Sequence, residues 1–182
     1  MDNFYYKEKE IKVLKTSYME LKSRLSELNA EFISEEIQIN YVLENPEKTF
    51  PSGDYLRIRQ INPQINGGRI ELTYKEKTES KQLRESNELT VEINDLNSGL
   101  ELLRKLGFQI KAKGEKHRIS FSLMGSRLDF DTWKEMDYPE PYLEIEVSED
   151  LQIQKIVKLL GIEEKEISLL SIEELKEQKK KA

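Results

Sequence analysis

Much of this chain alternates between apolar and charged side chains. On a β-strand, successive side chains point to opposite faces, so a period of two builds a strand with one apolar and one polar face. Ile11 and Val13 alternate with Glu8, Glu10 and Lys12, and Leu56 and Ile58 with Arg57 and Arg59. Ile70, Leu72 and Tyr74 alternate with Glu71, Thr73, Lys75 and Lys77, and Leu89, Val91 and Ile93 with Glu88, Thr90 and Glu92. Ile119 and Phe121 alternate with Lys116, Arg118 and Ser120. Leu128 and Phe130 oppose Asp129 and Asp131, while Leu143, Ile145 and Val147 oppose Glu144 and Glu146.

The pattern predicts eight strands: Tyr5–Leu14, Ile37–Leu43, Tyr55–Ile61, Arg69–Lys77, Glu88–Ile93, Phe108–Leu123, Arg127–Trp133 and Tyr142–Val147. Four helices are expected between and after them. Ser17 and Glu20 form a capping box before the stripe Leu21, Leu25 and Leu28. Asp95 to Gly107 turns Leu100, Leu103 and Leu106 inward and stops at its glycine. Glu149–Leu160 and Ser171–Lys179 complete the set, the latter with a capping box from Ser171 and Glu174. The order is strand, helix, three strands, twice over. Its connections are short, and the loosest is the hairpin segment Asn62–Gly68, so the pairing should be mostly antiparallel. Eight antiparallel strands can close into a barrel that hides its edges. The fold class expected is α+β, a closed eight-stranded antiparallel β-barrel with helices packed on the outside.

A charged alternate face is usually the solvated side of a half-buried sheet. Here, however, the signs are sorted by strand. Glu8/Glu10, Asp129/Asp131 and Glu144/Glu146 are acidic pairs, whereas Arg57/Arg59 and Lys116/Arg118 are basic ones. Like charges two residues apart repel unless something of opposite sign lies between them. The expectation is a charged, wet interior with the apolar face outward under the helices. Such an interior is costly when empty and dry but coherent around an anion and divalent cations. Paired carboxylates are hard ligands suited to Mg2+ or Mn2+. Guanidinium and ammonium groups offer phosphate oxygens charge-assisted hydrogen bonds worth roughly 1.5–3 kcal/mol each.

Composition narrows the alternatives. A chain of 182 residues suggests one domain, 1–182, with a peripheral C-terminal helix at about 171–182. Cysteine is absent, which excludes disulfides, thiolate metal sites and cysteine nucleophiles. His117 is the only histidine, which leaves little for a histidine-based relay, and its alternation puts it on the apolar side as a packed or half-exposed residue. The net charge of −6 argues against duplex nucleic acid as a partner. With no signal-like N-terminal stretch and no spanning apolar run, a cytoplasmic protein with no membrane partner is expected.

Five segments together resemble the CYTH superfamily, the triphosphate tunnel metalloenzymes, over roughly Tyr6 to Leu160. Glu8-Lys9-Glu10-Ile11-Lys12 is similar to its ExExK signature, Leu56-Arg57-Ile58-Arg59 to its LRIR strand and Leu72-Thr73-Tyr74-Lys75 to its LTYK strand. Lys116-His117-Arg118 matches its KxR step, and Asp131-Thr132-Trp133 followed by Tyr142-Leu143-Glu144-Ile145-Glu146 resembles its aspartate and EIE strand. The resemblance implies an eight-stranded tunnel. It implies that Glu8, Glu10, Asp131, Glu144 and Glu146 hold one or two Mg2+ or Mn2+ ions, with Asp129 a competing ligand. It also implies that Lys12, Arg57, Arg59, Lys75, Lys116 and Arg118 bind a triphosphate. Arg84, Glu88 and Glu92 depart from the family's spacing; Arg84 is carried as a triphosphate contact. Asn40 stands where cyclase-like members carry aspartate.

The family includes class IV adenylyl cyclases, thiamine triphosphatases and inorganic tripolyphosphatases. Attack by the ribose hydroxyl of ATP gives cyclic AMP and pyrophosphate; attack by water gives hydrolysis. Glu8 or Glu10 could act as base, with Lys12 beside them as a third catalytic group. Gln38–Arg59 resembles the cyclase branch, so adenylyl cyclase-type chemistry on ATP is the leading expectation. Hydrolysis of tripolyphosphate or thiamine triphosphate is the alternative, and a non-catalytic triphosphate sensor is the third. A homodimer is plausible from the family.

Overall fold

The computed structural model describes residues 4–65, 68–78, 80, 83–134, 138 and 140–181 of the 182-residue chain. The elements are β1 (Tyr6–Leu14), α1 (Tyr18–Glu27), β2 (Glu31–Glu44), β3 (Tyr55–Ile61), β4 (Arg69–Thr78), β5 (Arg84–Glu92) and α2 (Leu96–Lys105). Then follow β6 (Gln109–Leu123), β7 (Ser126–Trp133), β8 (Tyr142–Glu146), α3 (Asp150–Leu160), a 3-10 turn (Glu164–Glu166), β9 (Ile167–Ser168) and α4 (Ile172–Lys181). Hydrogen bonding orders the strands β5-β4-β3-β2-β6-β7-β8-β1-β9, and β5 also pairs with β1. Strands β1 to β8 thus make the expected closed antiparallel barrel, in which closure pairs the edges an open sheet would expose. β9 is an addition, pairing with β1 through Lys12–Ser168 and Val13–Ile167. Two residues carry no period, so alternation could not reveal it.

The helix ends follow their capping residues. Ser17 Oγ accepts from Glu20 N at 3.5 Å, and Asp95 Oδ1 accepts from Ser98 N at 2.7 Å. At α4 the expected box is reciprocal: Ser171 Oγ accepts from Glu174 N at 3.1 Å while Ser171 N donates to Glu174 Oε2 at 2.6 Å. Gly107 ends α2 with φ 87, a conformation that suits glycine. In the hairpin segment, Asn62 Oδ1 accepts from Ile37 N at 2.8 Å; residues 66–67 of that segment lie outside the described residues. Among the described residues no helix is long and apolar enough to cross a membrane.

Contacts group the chain into two compact units. The first comprises Met1–Lys7, Glu36–Thr78 and Ser86–Lys116; the second comprises Glu8–Glu35, Glu79–Glu85 and His117–Ala182. In the first, Leu96, Leu100 and Leu103 of α2 pack on the apolar alternates of β2–β4, among them Tyr41, Leu43, Ile58 and Leu72. In the second, Leu21 and Leu25 of α1 and Ile153, Ile156 and Leu160 of α3 pack on Ile11, Val13, Phe121, Leu128, Leu143 and Ile145. A smaller cluster joins Leu175 of α4 to Tyr138, Tyr142 and Trp133. Burying such side chains contributes roughly 1.5–3 kcal/mol each, and it commits one face of the strands they sit on to the helix side.

Three apolar residues depart from the expectation. Leu89 and Val91 of β5 are exposed rather than covered, and of that strand's apolar series only Ile93 packs in the first unit's core. α2 is 10 residues, about 15 Å, and its apolar stripe is committed to β2–β4. Leu106 is also exposed, because it is the C-cap residue beyond the last helical turn.

Candidate functional site

The polar face of the second unit is built from rows across β1, β8 and β7. Glu10 lies opposite Glu146, and Glu146 opposite Arg127; Lys12 lies opposite Glu144, and Glu144 opposite Asp129. Their side chains form an alternating chain of charges. Arg84 Nε is 3.3 Å from Glu10 Oε1, and Lys12 Nζ is 2.7 Å from the same oxygen and 3.1 Å from Glu144 Oε1. Arg118 donates to Asp131 through Nε and Nη2, both at 2.7 Å, to Asp129 Oδ2 through Nη1 at 2.6 Å, and to Glu144 Oε2 through Nη2. Asp129 also accepts from Ser120 Oγ at 2.6 Å and from Arg127 Nε at 2.9 Å.

Electrostatics follow from this geometry. Burial alone would pull the Lys12 ammonium down, but Glu10 and Glu144 outweigh it and hold it above the ordinary lysine range. Burial likewise opposes the charge on Arg118, and Asp129, Asp131 and Glu144 overcome it. Both cations are fixed. Burial, then Asp131 and Glu144, raise the Tyr142 phenol well above its usual range.

The first unit's polar face runs across β2, β3 and β4. Asn40 lies opposite Arg59 and Arg59 opposite Glu71; Val42 lies opposite Arg57 and Arg57 opposite Thr73; Tyr55 lies opposite Lys75. Glu88 of β5 sits between two cations, 2.9 Å from Lys75 Nζ and 3.8 Å from Arg57 Nη2. Arg59 Nε donates to Asn40 Oδ1 at 3.0 Å, and Thr73 Oγ1 is 2.9 Å from Thr90 Oγ1. Lys116 of β6 is buried in the same unit, and Glu92 is exposed.

These charges are out of water. Relative exposure is 3% for Lys12, 6% for Lys75, 4% for Lys116, 8% for Arg118, 3% for Asp129 and 0% for Asp131. Charged residues are almost never fully buried unless paired, and the desolvation cost is several kcal/mol per ion. A merely solvated polar face would leave them in solvent.

Among the described residues no three His, Asp or Glu side chains are grouped to hold an ion. Asp129, Asp131 and Glu144 converge instead on Arg118. Glu10 lies directly opposite Glu146, a pairing of like charges that favours a cation between them, and Lys12 and Arg84 already reach the Glu10 carboxylate. Mg2+ is usually held by one or two carboxylates plus substrate phosphates and water, so this pair, with Glu8 two residues along β1, fits a hard divalent ion in donor chemistry.

The structure brings together Glu10, Lys12, Arg84, Arg118, Asp129, Asp131 and Glu144 in one network, and Arg57, Lys75 and Glu88 in another. Glu8 is half-buried on β1, and Glu146 occupies the row beside Glu144. The sequence reading passed over Arg127, Ser120, Glu36 and Gln38 as site residues. Arg127 and Ser120 share the alternation of Asp129 and Arg118, so period alone could have found them. Gln38 is uncharged, and Glu36 precedes the strand as read from alternation. His117 is half-exposed, with Nε2 2.7 Å from the Glu35 carboxylate, and stands outside both networks.

The CYTH domain profile matches residues 6–174, and the chain belongs to the CYTH family. Its fold is the triphosphate-tunnel fold, and members of the family are typically enzymes that act on triphosphates with divalent metals. Among solved structures, the chain is similar to the PH1012 protein of Pyrococcus horikoshii OT3, at 28% identity over 91% of this chain and 98% of that one, with a TM-score of 0.76. It is also similar to the PH1819 protein of the same organism, at 27% identity over 96% and 99%, with a TM-score of 0.79. A Hippeastrum protein, described as an adenylyl cyclase candidate with a dominant triphosphatase activity, shares the fold at 17% identity over 90% and 91%, with a TM-score of 0.65. No curated protein matches the chain significantly.

Proposed function

We propose that this protein is a divalent-metal-dependent enzyme acting on the phosphate chain of a triphosphate compound. The observation that carries the reading is the burial of so many paired charges on the polar alternates. In the first unit, Arg57, Arg59, Lys75 and Lys116 would bind phosphate oxygens, the arginines by forked hydrogen bonds and the lysines as point charges. In the second unit, Lys12, Arg84 and Arg118 would add positive charge. Glu10 and Glu146, with Glu8, would hold Mg2+ or Mn2+, while Asp129, Asp131 and Glu144 keep the Arg118 guanidinium in place. When bound, the metal would supply charge neutralisation to the phosphate chain and its leaving group. Positioning and electrostatics do most of the work in phosphoryl transfer, and fixed cations need no reorganisation as charge develops. Glu8 or Glu10 would accept the proton of the attacking hydroxyl.

The leading reaction is conversion of ATP to cyclic AMP and pyrophosphate, favoured by the likeness of Gln38–Arg59 to the cyclase branch. Hydrolysis is the second reading, favoured by the triphosphatase activity described for the Hippeastrum protein of the same fold. Steady-state assays with ATP, tripolyphosphate and thiamine triphosphate, each with Mg2+ and Mn2+, test this by following cyclic AMP and released phosphate. Turnover of at least one substrate is expected, together with a rise in melting temperature on ligand binding. Binding without turnover would make the protein a sensor; neither binding nor turnover would end the triphosphate reading.

A further inference from the structure

Three buried polar residues of β2, Glu36, Gln38 and Asn40, occupy one face of that strand. The alternates Ile39, Tyr41 and Leu43 pack in the first unit's apolar core on the other. The orientation of both amides is fixed by charged neighbours. Gln38 Nε2 donates to Glu36 Oε2 at 2.7 Å, and Asn40 Oδ1 accepts from Arg59 Nε at 3.0 Å. Turning either amide over would set oxygen against carboxylate or NH2 against guanidinium.

With those orientations set, two buried atoms remain without a hydrogen-bond partner: Gln38 Oε1, an acceptor, and Asn40 Nδ2, a donor. Buried polar groups are nearly always satisfied, and each orphan calls for an explanation. These two lie on side chains two residues apart on one face, roughly 6.5–7 Å along the strand. Asn40 is bonded to Arg59, which the proposed function makes a phosphate ligand. The orphans therefore sit beside the phosphate-binding rows, where the organic part of a substrate would continue from its phosphates.

One acceptor and one donor on the same strand face match in kind an amidine edge, an exocyclic amine next to an unprotonated ring nitrogen. The amine would donate to Gln38 Oε1, and the ring nitrogen would accept from Asn40 Nδ2. Adenine has such an edge, and so does the aminopyrimidine ring of thiamine. Inorganic tripolyphosphate has no amine and ring nitrogen to offer these two atoms. We propose that Gln38 and Asn40 form a recognition subsite for the amidine edge of an organic triphosphate. The proposal rests on the triphosphate reading and goes beyond it, by making the protein selective for an organic substrate over bare tripolyphosphate.

The test is calorimetric titration of the full chain without divalent metal, so that turnover does not intervene. Four organic ligands form two pairs: ATP with purine riboside triphosphate, and thiamine triphosphate with oxythiamine triphosphate. The second of each pair lacks the amine, and tripolyphosphate is the reference. One amine-bearing ligand should bind about tenfold or more tightly than its partner and than tripolyphosphate, the cost of leaving a buried acceptor unpaired. The pair that shows the difference identifies the source of the edge. In Gln38→Met, checked for native circular dichroism, the ratio within that pair should fall to about threefold or less. The wild-type comparison stands by itself if the variant does not fold. If tripolyphosphate binds and neither amine improves affinity, the subsite is overturned and the triphosphate reading survives. If none of the five ligands binds, both fall together.

Discussion

The two units solve the burial of charge in opposite ways. In the second, one guanidinium, Arg118, is surrounded by three carboxylates, and the network continues through Lys12 and Glu10 to Arg84 in strict alternation of sign. In the first, one carboxylate, Glu88, lies between two cations, and Arg59 is held by a neutral amide. A network whose members answer one another at hydrogen-bond distance is a rigid device. The Asn40 amide oxygen orients the Arg59 guanidinium and does not itself neutralise it. The same residue types thus form a guanidinium ringed by carboxylates in one unit and a carboxylate flanked by cations in the other.

Removing Arg118 should break the comparison most severely. Arg118→Met leaves Asp129, Asp131 and Glu144 buried without their common partner, and breaking a buried pair on one side costs about 3–5 kcal/mol. Urea unfolding of wild type and variant measures it; a loss under about 1 kcal/mol would mean that solvent already reaches those carboxylates. Arg59→Met should behave in the opposite sense. It removes one charge-assisted contact to phosphate, so triphosphate affinity should drop by about 10- to 150-fold, the equivalent of roughly 1.5–3 kcal/mol. Its effect on urea unfolding should be smaller than that of Arg118→Met, which strips three buried carboxylates of their common partner. Unaltered affinity would take Arg59 out of the site.

How far these roles could be read beforehand depends on what carries period and what carries geometry. The barrel was legible because apolar alternates such as Ile11/Val13 and Leu143/Ile145 must face a core, and the polar alternates are then fixed by the pleat. The site's membership was largely legible for the same reason: Glu10, Lys12, Arg118 and Glu144 share that face. What each charge touches was not. Asp129 and Asp131 read as candidate ligands in sequence, and only the placement of Arg118 on the neighbouring strand shows that both accept from a guanidinium. Gln38 escaped because a neutral side chain leaves no charge pattern, Asn40 stood out only by its place where cyclase-like members carry aspartate, and an orphaned atom exists only once its neighbours have coordinates. The exposure of Leu89 and Val91 was hidden likewise, since alternation does not report where a helix ends.

The smallest effect reads the contrast through two tyrosines. In the second unit, burial and then Asp131 and Glu144 hold the Tyr142 phenol well above its usual range. In the first, burial and then the bond from Tyr74 Oη to Asp54 Oδ2, at 3.0 Å, push the Tyr74 phenol up to about 12. A raised phenol favours the neutral form in the folded state. Its contribution to stability is therefore fully present below the unfolded value of about 10 and lost as pH rises through the folded value. An ultraviolet phenolate titration should show exposed tyrosines ionising first and a later step near pH 12 that Tyr74→Phe removes, with Tyr142 silent until the fold gives way. At neutral pH, Tyr74→Phe should cost only about 1 kcal/mol, the net worth of one hydrogen bond. If the late step survives Tyr74→Phe, the phenol that ionises in it belongs to another residue, and the Asp54 contact is too loose to hold a proton.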